Sequence, residues 1–357
     1  MSGLPYLDAA TLERLVPMGR AVTVLEEALR AGLDPEATPQ RPVVDVPAGQ
    51  LLLMPAATRR YAGVKAVSIA PANPERGLPR IQGTYLLFDG DTLTPLAAMD
   101  GIALTSLRTP AVSALAVRHL AEPGARRLVV FGSGPQAYGH VLALREVRPV
   151  EDVTVVGRDA GRAEALAARC RALGLTARAC TNPATDPTSH TTPNGPERPE
   201  RPERPERPAS PSPTTSTQTT GDGGSGLDEQ VTRALAQADL VACCTTARRP
   251  LFPGKLTRDG ATVVAVGSHE PGARELDGDL VARATVVVEA RAAALEEAGD
   301  VIIPMSRGTI SSRHLAGNLA DLITGQVIIG PGPRVFKSTG MAWEDLVVAA
   351  AAYEAWT

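Results

Sequence analysis

Three kinds of residue in this 357-residue chain are placed to do chemistry: a glycine turn, cations inside apolar runs, and a loop histidine. The turn is Gly132-x-Gly134-x-x-Ala137, directly after the apolar run 127–131. In such a turn the first glycine permits a tight bend and the second lets backbone approach a pyrophosphate. The small third residue lets helix and strand pack closely. Amides at the helix start then face the phosphates. Ser133, Pro135 and Gln136 shape the same loop. The expected ligand is a nicotinamide dinucleotide; the plain alternative is a glycine turn in an α/β domain that binds nothing.

The end of the next strand selects the form of that ligand. It reads Gly157-Arg158-Asp159. Arginine suits a ribose 2′-phosphate, whereas an acid there suits a free 2′-hydroxyl. Arg158 comes first, which favours NADP(H); Asp159 keeps NAD(H) possible, and a solvated Arg-Asp turn is the bland reading.

Lysine occurs only at Lys65, Lys255 and Lys337 among the 36 basic residues, so arginine is the default surface cation. Lys65 lies inside the apolar run 62–69, where an unpaired ammonium is costly. An anionic ligand or a structural salt bridge would pair it. Arg108 stands early in the otherwise apolar stretch 104–121, and Arg41 opens a strand-like run. His269 follows the run 263–266, at the end of a strand where sites form, although a lone loop histidine is often inert.

The elements that must position these residues fall into two patterns. Residues 41–46, 50–54, 62–69, 81–88 and 93–98 read as short strands separated by turn residues, which predicts an antiparallel or mixed sheet. Asp8 is placed to cap a first helix, and 18–31 has helical periodicity. From residue 126 onward strands alternate with helices, which predicts βαβ units and a parallel sheet. The expected fold class is α/β: a Rossmann domain over 123–330 beside an α+β substrate and dimerisation domain from 1–122 and 331–357. The stretch 181–226 carries repeated Pro-Glu-Arg, then Ser/Thr/Pro and Gly-rich segments, and reads as a disordered insertion.

Composition narrows the function classes. The net charge of -3 gives no support for nucleic-acid or anionic-membrane binding. No apolar run reaches spanning length, and Met1 to Asp8 lacks a signal-peptide pattern, so a cytoplasmic protein is expected. Cys170, Cys180, Cys243 and Cys244 lack C-x-x-C spacing, which predicts free thiols and argues against a metal site. No G-x-S-x-G motif suggests a hydrolase.

The chain resembles the ornithine cyclodeaminase/mu-crystallin family over nearly its whole length. The resemblance rests on Met54-Pro55, Gly63-Val64-Lys65-Ala66-Val67-Ser68, Gln82-Gly83-Thr84-Tyr85, Leu104-Thr105-Ser106-Leu107-Arg108-Thr109-Pro110, Gly132 to Ala137, Val266-Gly267-Ser268, Arg274-Glu275-Leu276-Asp277 and the tail from Val335 to Asp345. It implies a homodimer whose members exchange hydride at an amino-acid α-carbon. It further implies that Arg41, Lys65 and Arg108 hold the substrate carboxylate and that Thr84 lies beside the nicotinamide, packing by its methyl being the plain alternative. Lys337 and Ser338 fall in the tail motif with no chemistry assigned.

Cyclodeaminases of the family carry an aspartate in the loop where this chain has His269. A histidine cannot supply an anion for a diamine, but it can protonate an imine nitrogen. The expected activity is therefore NAD(P)H-dependent reduction of a small imino acid, such as a cyclic ketimine, or interconversion of an amino acid and its keto or imino acid. Two alternatives stand: an ornithine cyclodeaminase, with Glu270 replacing the lost acid, and a non-catalytic NADP-dependent binding protein.

Overall fold

Alternation and turn chemistry divide the chain between two sheets. The computed structural model describes residues 3–182 and 227–357. The first sheet has six strands: β1 (Tyr6–Leu7), β2 (Val43–Val46), β3 (Gly49–Ala57), β4 (Tyr61–Ile69), β5 (Ile81–Asp89) and β6 (Pro95–Asp100). Their order is β1-β6-β5-β4-β3-β2, antiparallel except where β1 runs parallel to β6. In β4 the odd positions Tyr61, Gly63, Lys65 and Val67 are buried, as a half-covered sheet requires. Lys65 stands in register with Met54 of β3 and Tyr85 of β5, both buried.

Helices α1 (Ala9–Leu15), α2 (Met18–Arg30), α3 (Gly101–Leu120) and α11 (Ala342–Trp356) pack with one another, and α3 and α11 pack on this sheet. Asp8 caps α1 by accepting from Thr11 N at 2.9 Å. Asp100 caps α3 by accepting from Ile102 N and Ala103 N.

The second sheet is parallel and has eight strands: β7 (Arg127–Phe131), β8 (Asp152–Gly157), β9 (Thr176–Thr181), β10 (Leu240–Cys243), β11 (Thr262–Ala265), β12 (Thr285–Val288), β13 (Leu315–Asn318) and β14 (Arg334–Lys337). The order is β13-β12-β14-β11-β10-β7-β8-β9. Helices α4 (Pro135–Arg145), α5 (Ala160–Ala172), α6 (Glu229–Gln237), α7 (Gly278–Arg283), α8 (Arg291–Glu297), α9 (Gly299–Ser306) and α10 (Leu319–Ile323) alternate with the strands. Strand order reverses at β7, between β8 and β10, where an open α/β sheet leaves a crevice for ligands.

One expectation needs correction. The tail was expected to join the first unit from residue 331, yet β14 pairs with both β11 and β12 inside the parallel sheet. Its buried Val335-Phe336-Lys337 run fills a gap between two parallel strands, so the return begins after Lys337. The expected 181–226 insertion lies outside the described residues except for its start: Thr181 closes β9, and buried Asn182 follows. No helix among the described residues is long and apolar enough to cross a membrane.

Candidate active site

The β7–α4 turn borders a cleft of about 330 Å³ that also touches Arg158, Asn182 and Thr245. Gly132 has φ +113°, and a Cβ there would stand 2.5 Å from the Cys244 carbonyl oxygen. Only glycine satisfies both demands. Gly134 differs: a Cβ would meet nothing within 4 Å, so a side chain would fill the cradle itself. Ala137 is fully buried where α4 meets the sheet. Pro135 occupies the first turn of α4, where no amide hydrogen is needed. The Gln136 carbonyl meets His140 Nδ1 at 2.7 Å, and His140 Nε2 meets Ser113 Oγ at 2.9 Å, which ties α4 to α3. Burial pushes His140 down to about 4, so this histidine is a neutral structural bridge.

These residues fit a dinucleotide. The open cradle at Gly134, the amide end of α4 and the shaped turn supply what a pyrophosphate needs. At the far side, Arg158 is exposed on the cleft wall and Arg162 of α5 stands beside it. Asp159 accepts from Arg162 N at 2.9 Å and caps α5. Sequence reasoning had singled out Arg158 and Asp159 but missed Arg162, Asn182 and Thr245. Their signal was positional only: Asn182 and Thr245 follow strand ends, and Arg162 lies in the first turn of α5.

The cations gather along the same C-terminal edge of the parallel sheet. Lys65 Nζ donates to Asp345 Oδ2 at 2.7 Å and to Thr105 Oγ1 at 3.0 Å. Arg108 donates from Nη1 to Glu344 Oε2 at 2.5 Å and from Nε to Asp345 Oδ1 at 3.3 Å. Arg41 Nη1 donates to the carbonyls of Thr339 and Gly340, and its guanidinium pairs with Glu297 of α8. Lys65, Arg108, Glu344 and Asp345 are all buried. The anion beside Lys65 is thus Asp345 of the chain itself, and the cluster forms a compensated network.

Burial pushes the Lys65 ammonium down to about 8, although Asp345 opposes the shift. Burial also pulls on Arg108, but Asp345 and Glu344 outweigh it and raise its pKa. Burial and the nearby Glu289 carboxylate drive Glu344 well up, toward its neutral form. Burial lowers Arg41. Gly340 belongs in this packing, because a Cβ there would stand 2.7 Å from Arg108 Nη1.

Glu289, just after β12, organises the crossing of the tail. It accepts from Ser338 Oγ at 2.6 Å, Thr339 N at 2.9 Å and Gly340 N at 2.7 Å. Ser338 is therefore a backbone-shaping donor. Glu289, Glu344 and Asp345 were missed at the sequence level. For Glu344 and Asp345 a signal was present: two acids in a row opening a largely apolar helix, matching the lone lysine in an apolar strand.

His269 keeps an exposed edge at the end of the β11 loop, where burial and the cations Arg41 and Lys337 lower its pKa. Neighbouring Glu270 pairs with Arg248 at 2.7 Å. Thr84 is not brought to this place. It is exposed on β5, and strand alternation puts it on the sheet face opposite Tyr85 and Lys65.

The family model for the ornithine cyclodeaminase/mu-crystallin family matches residues 7–188 and 227–357. A Delta(1)-pyrroline-2-carboxylate reductase from Bacillus cereus is 31% identical over 309 residues, which cover 85% of this chain and 80% of that protein. Among solved structures, Thermococcus litoralis Delta(1)-pyrroline-2-carboxylate reductase, in complex with NADH and L-proline, superposes with a TM-score of 0.80. It is 27% identical over 99% of this chain and 97% of its own. An archaeal alanine dehydrogenase dimer with bound NAD gives a TM-score of 0.79 at 25% identity, covering 99% of this chain and 95% of that one.

Proposed function

This chain belongs to the ornithine cyclodeaminase/mu-crystallin family, and we propose that it is an NAD(P)H-dependent oxidoreductase reducing a small cyclic imino acid of the pyrroline-2-carboxylate class. The observation that carries this reading is the meeting of Arg41, Lys65 and Arg108 at the sheet edge that also forms the dinucleotide cleft. When bound, the nicotinamide supplies the hydride for the α-carbon.

The chain's own residues orient and balance charge. Arg41, whose partner Glu297 is partly open to solvent, is where an incoming carboxylate meets the cluster. Lys65 and Arg108 hold the floor of the site through charge-assisted bonds. His269 exchanges the proton of the substrate nitrogen. Its lowered pKa favours the neutral imidazole, so proton donation strengthens as pH falls. With Glu270 paired to Arg248, the His269 loop suits an imine better than a diamine.

Arg158 and Arg162 favour a 2′-phosphate, hence NADP(H), because Asp159 is engaged as a helix cap. Val44 and Leu51, paired across β2 and β3, leave apolar side chains exposed on one face of the first sheet, which suits a homodimer. The resulting picture is a cytoplasmic homodimer.

The test is incubation with NADPH or NADH and a panel of cyclic imino acids, and of keto acids with amines, following nicotinamide oxidation. Turnover of a cyclic imino acid is expected. No turnover with any of them, together with ammonia release and proline formation from ornithine without net nicotinamide change, would replace this reading by the cyclodeaminase.

A further inference from the structure

We propose that Glu275 is a positioning residue that holds the wall of the dinucleotide cleft against the His269 loop. The inference rests on the dinucleotide reading above. Glu275 is fully buried, in the segment leading to α7. Its Oε1 accepts from both Thr245 N and Thr245 Oγ1 at 2.8 Å, and its Oε2 accepts from Gly267 N at 2.8 Å. Thr245 opens the loop after β10 that walls the cleft. Gly267 opens the loop after β11 that carries His269. The two loops touch backbone to backbone, since a Cβ on Gly267 would collide with the Thr245 carbonyl. One side chain therefore sets the spacing between the cofactor wall and the candidate proton carrier.

A second layer holds Glu275. Its own amide and that of Leu276 both donate to Asp300 Oδ1 at 2.8 Å. Asp300 Oδ2 pairs with Lys337 Nζ at 2.9 Å, and Lys337 Nζ donates to the Ser268 carbonyl at 2.5 Å. The buried Lys337, unassigned by its sequence, thus anchors the first residues of the His269 loop. Three donors on two oxygens explain why a carboxylate is needed. An amide keeps one acceptor and turns a donor toward one of the two loops.

The experiment titrates wild type and Glu275→Gln with NADPH, following protein fluorescence, and records hydrogen exchange of wild type with and without NADPH. The variant is expected to bind at least tenfold more weakly, about 1.4 kcal/mol. In wild type, NADPH is expected to protect residues 244–250 and 266–272 together. A folded variant with a dissociation constant within twofold of wild type would overturn the proposal. So would protection confined to 244–250, a readout that stands even if the variant does not fold. A wild type that binds no dinucleotide overturns the function and this inference alike. One that binds NADPH but reduces no imino acid overturns the substrate reading and leaves Glu275 in place.

Discussion

The dinucleotide cleft and the carboxylate cluster share one edge of the parallel sheet but are built in different ways. The cleft is made of backbone and empty space: a positive-φ glycine at Gly132, an open cradle at Gly134, and the amide end of α4. The parts of that turn are neighbours in sequence, while Arg158, Asn182 and Thr245 join the cleft wall from further along the chain. The cluster is made of buried charge: Lys65 from β4, Arg108 from α3, Asp345 and Glu344 from α11, with Glu289 from the other unit shaping the crossing. Its parts lie up to 280 residues apart. Damage to the cleft should therefore stay local and fall chiefly on cofactor binding. Damage to the cluster should spread, because removing one partner strands another charge out of water.

The largest effect is expected at Lys65. Lys65→Ala leaves Asp345 with only Arg108, and breaking a buried pair costs about 3–5 kcal/mol. Steady-state kinetics should show kcat/KM for the imino acid lowered about 10²–10³-fold, with a lower melting temperature and NADPH affinity little changed. Unchanged KM and kcat would remove Lys65 from the site. Next comes the other half. Gly132→Ala forces φ +113° on a residue with a Cβ and presses on Cys244, a strain of about 1–3 kcal/mol. Titration should show weakened NADPH binding. Gly134→Ala should weaken NADPH binding with no stability loss, since its Cβ meets only open space. Equal stability losses at the two glycines would erase the distinction between turn and cradle.

The sequence made the cleft legible for the same reason the cleft is local. A strand, a glycine turn and a helix in succession carry their own spacing, and the structure places them at the reversal of strand order. The cluster was legible only on one side. Lys65 stood out as a lysine in an apolar strand, but nothing local tied it to Asp345 across the chain. The short run of β14 escaped for a related reason. Half-buried Arg334 and three buried residues, inserted between β11 and β12, gain their identity from parallel neighbours, not from any pattern of their own. A resemblance carries a residue type such as Thr84 without saying which face of a strand it occupies in this chain.

A pH series sharpens the same contrast at smaller amplitude. The Lys65 pKa is lowered to about 8, so the ammonium is present below that pH and lost above it. KM for an imino acid should stay flat from pH 6.5 to 7.5 and rise about tenfold by pH 9, as roughly nine-tenths of the ammonium is lost one unit above its pKa. NADPH affinity should not follow this curve. The smallest effect is expected at the cleft mouth. Arg158→Ala should lower the NADPH to NADH ratio of kcat/KM by about tenfold, the loss of one exposed charge-assisted contact. Equal efficiency of the wild type with both cofactors would contradict that preference.

The most direct test of the account removes the carboxylate from the substrate. Rates of NADPH oxidation are compared for pyrroline-2-carboxylate and for the same ring lacking the acid, in wild type and in Lys65→Ala. The cluster predicts that wild type favours the acid by about 10²-fold or more, and that the variant loses most of that preference. Equal rates for both rings in wild type would contradict the assignment of Arg41, Lys65 and Arg108 to a substrate carboxylate.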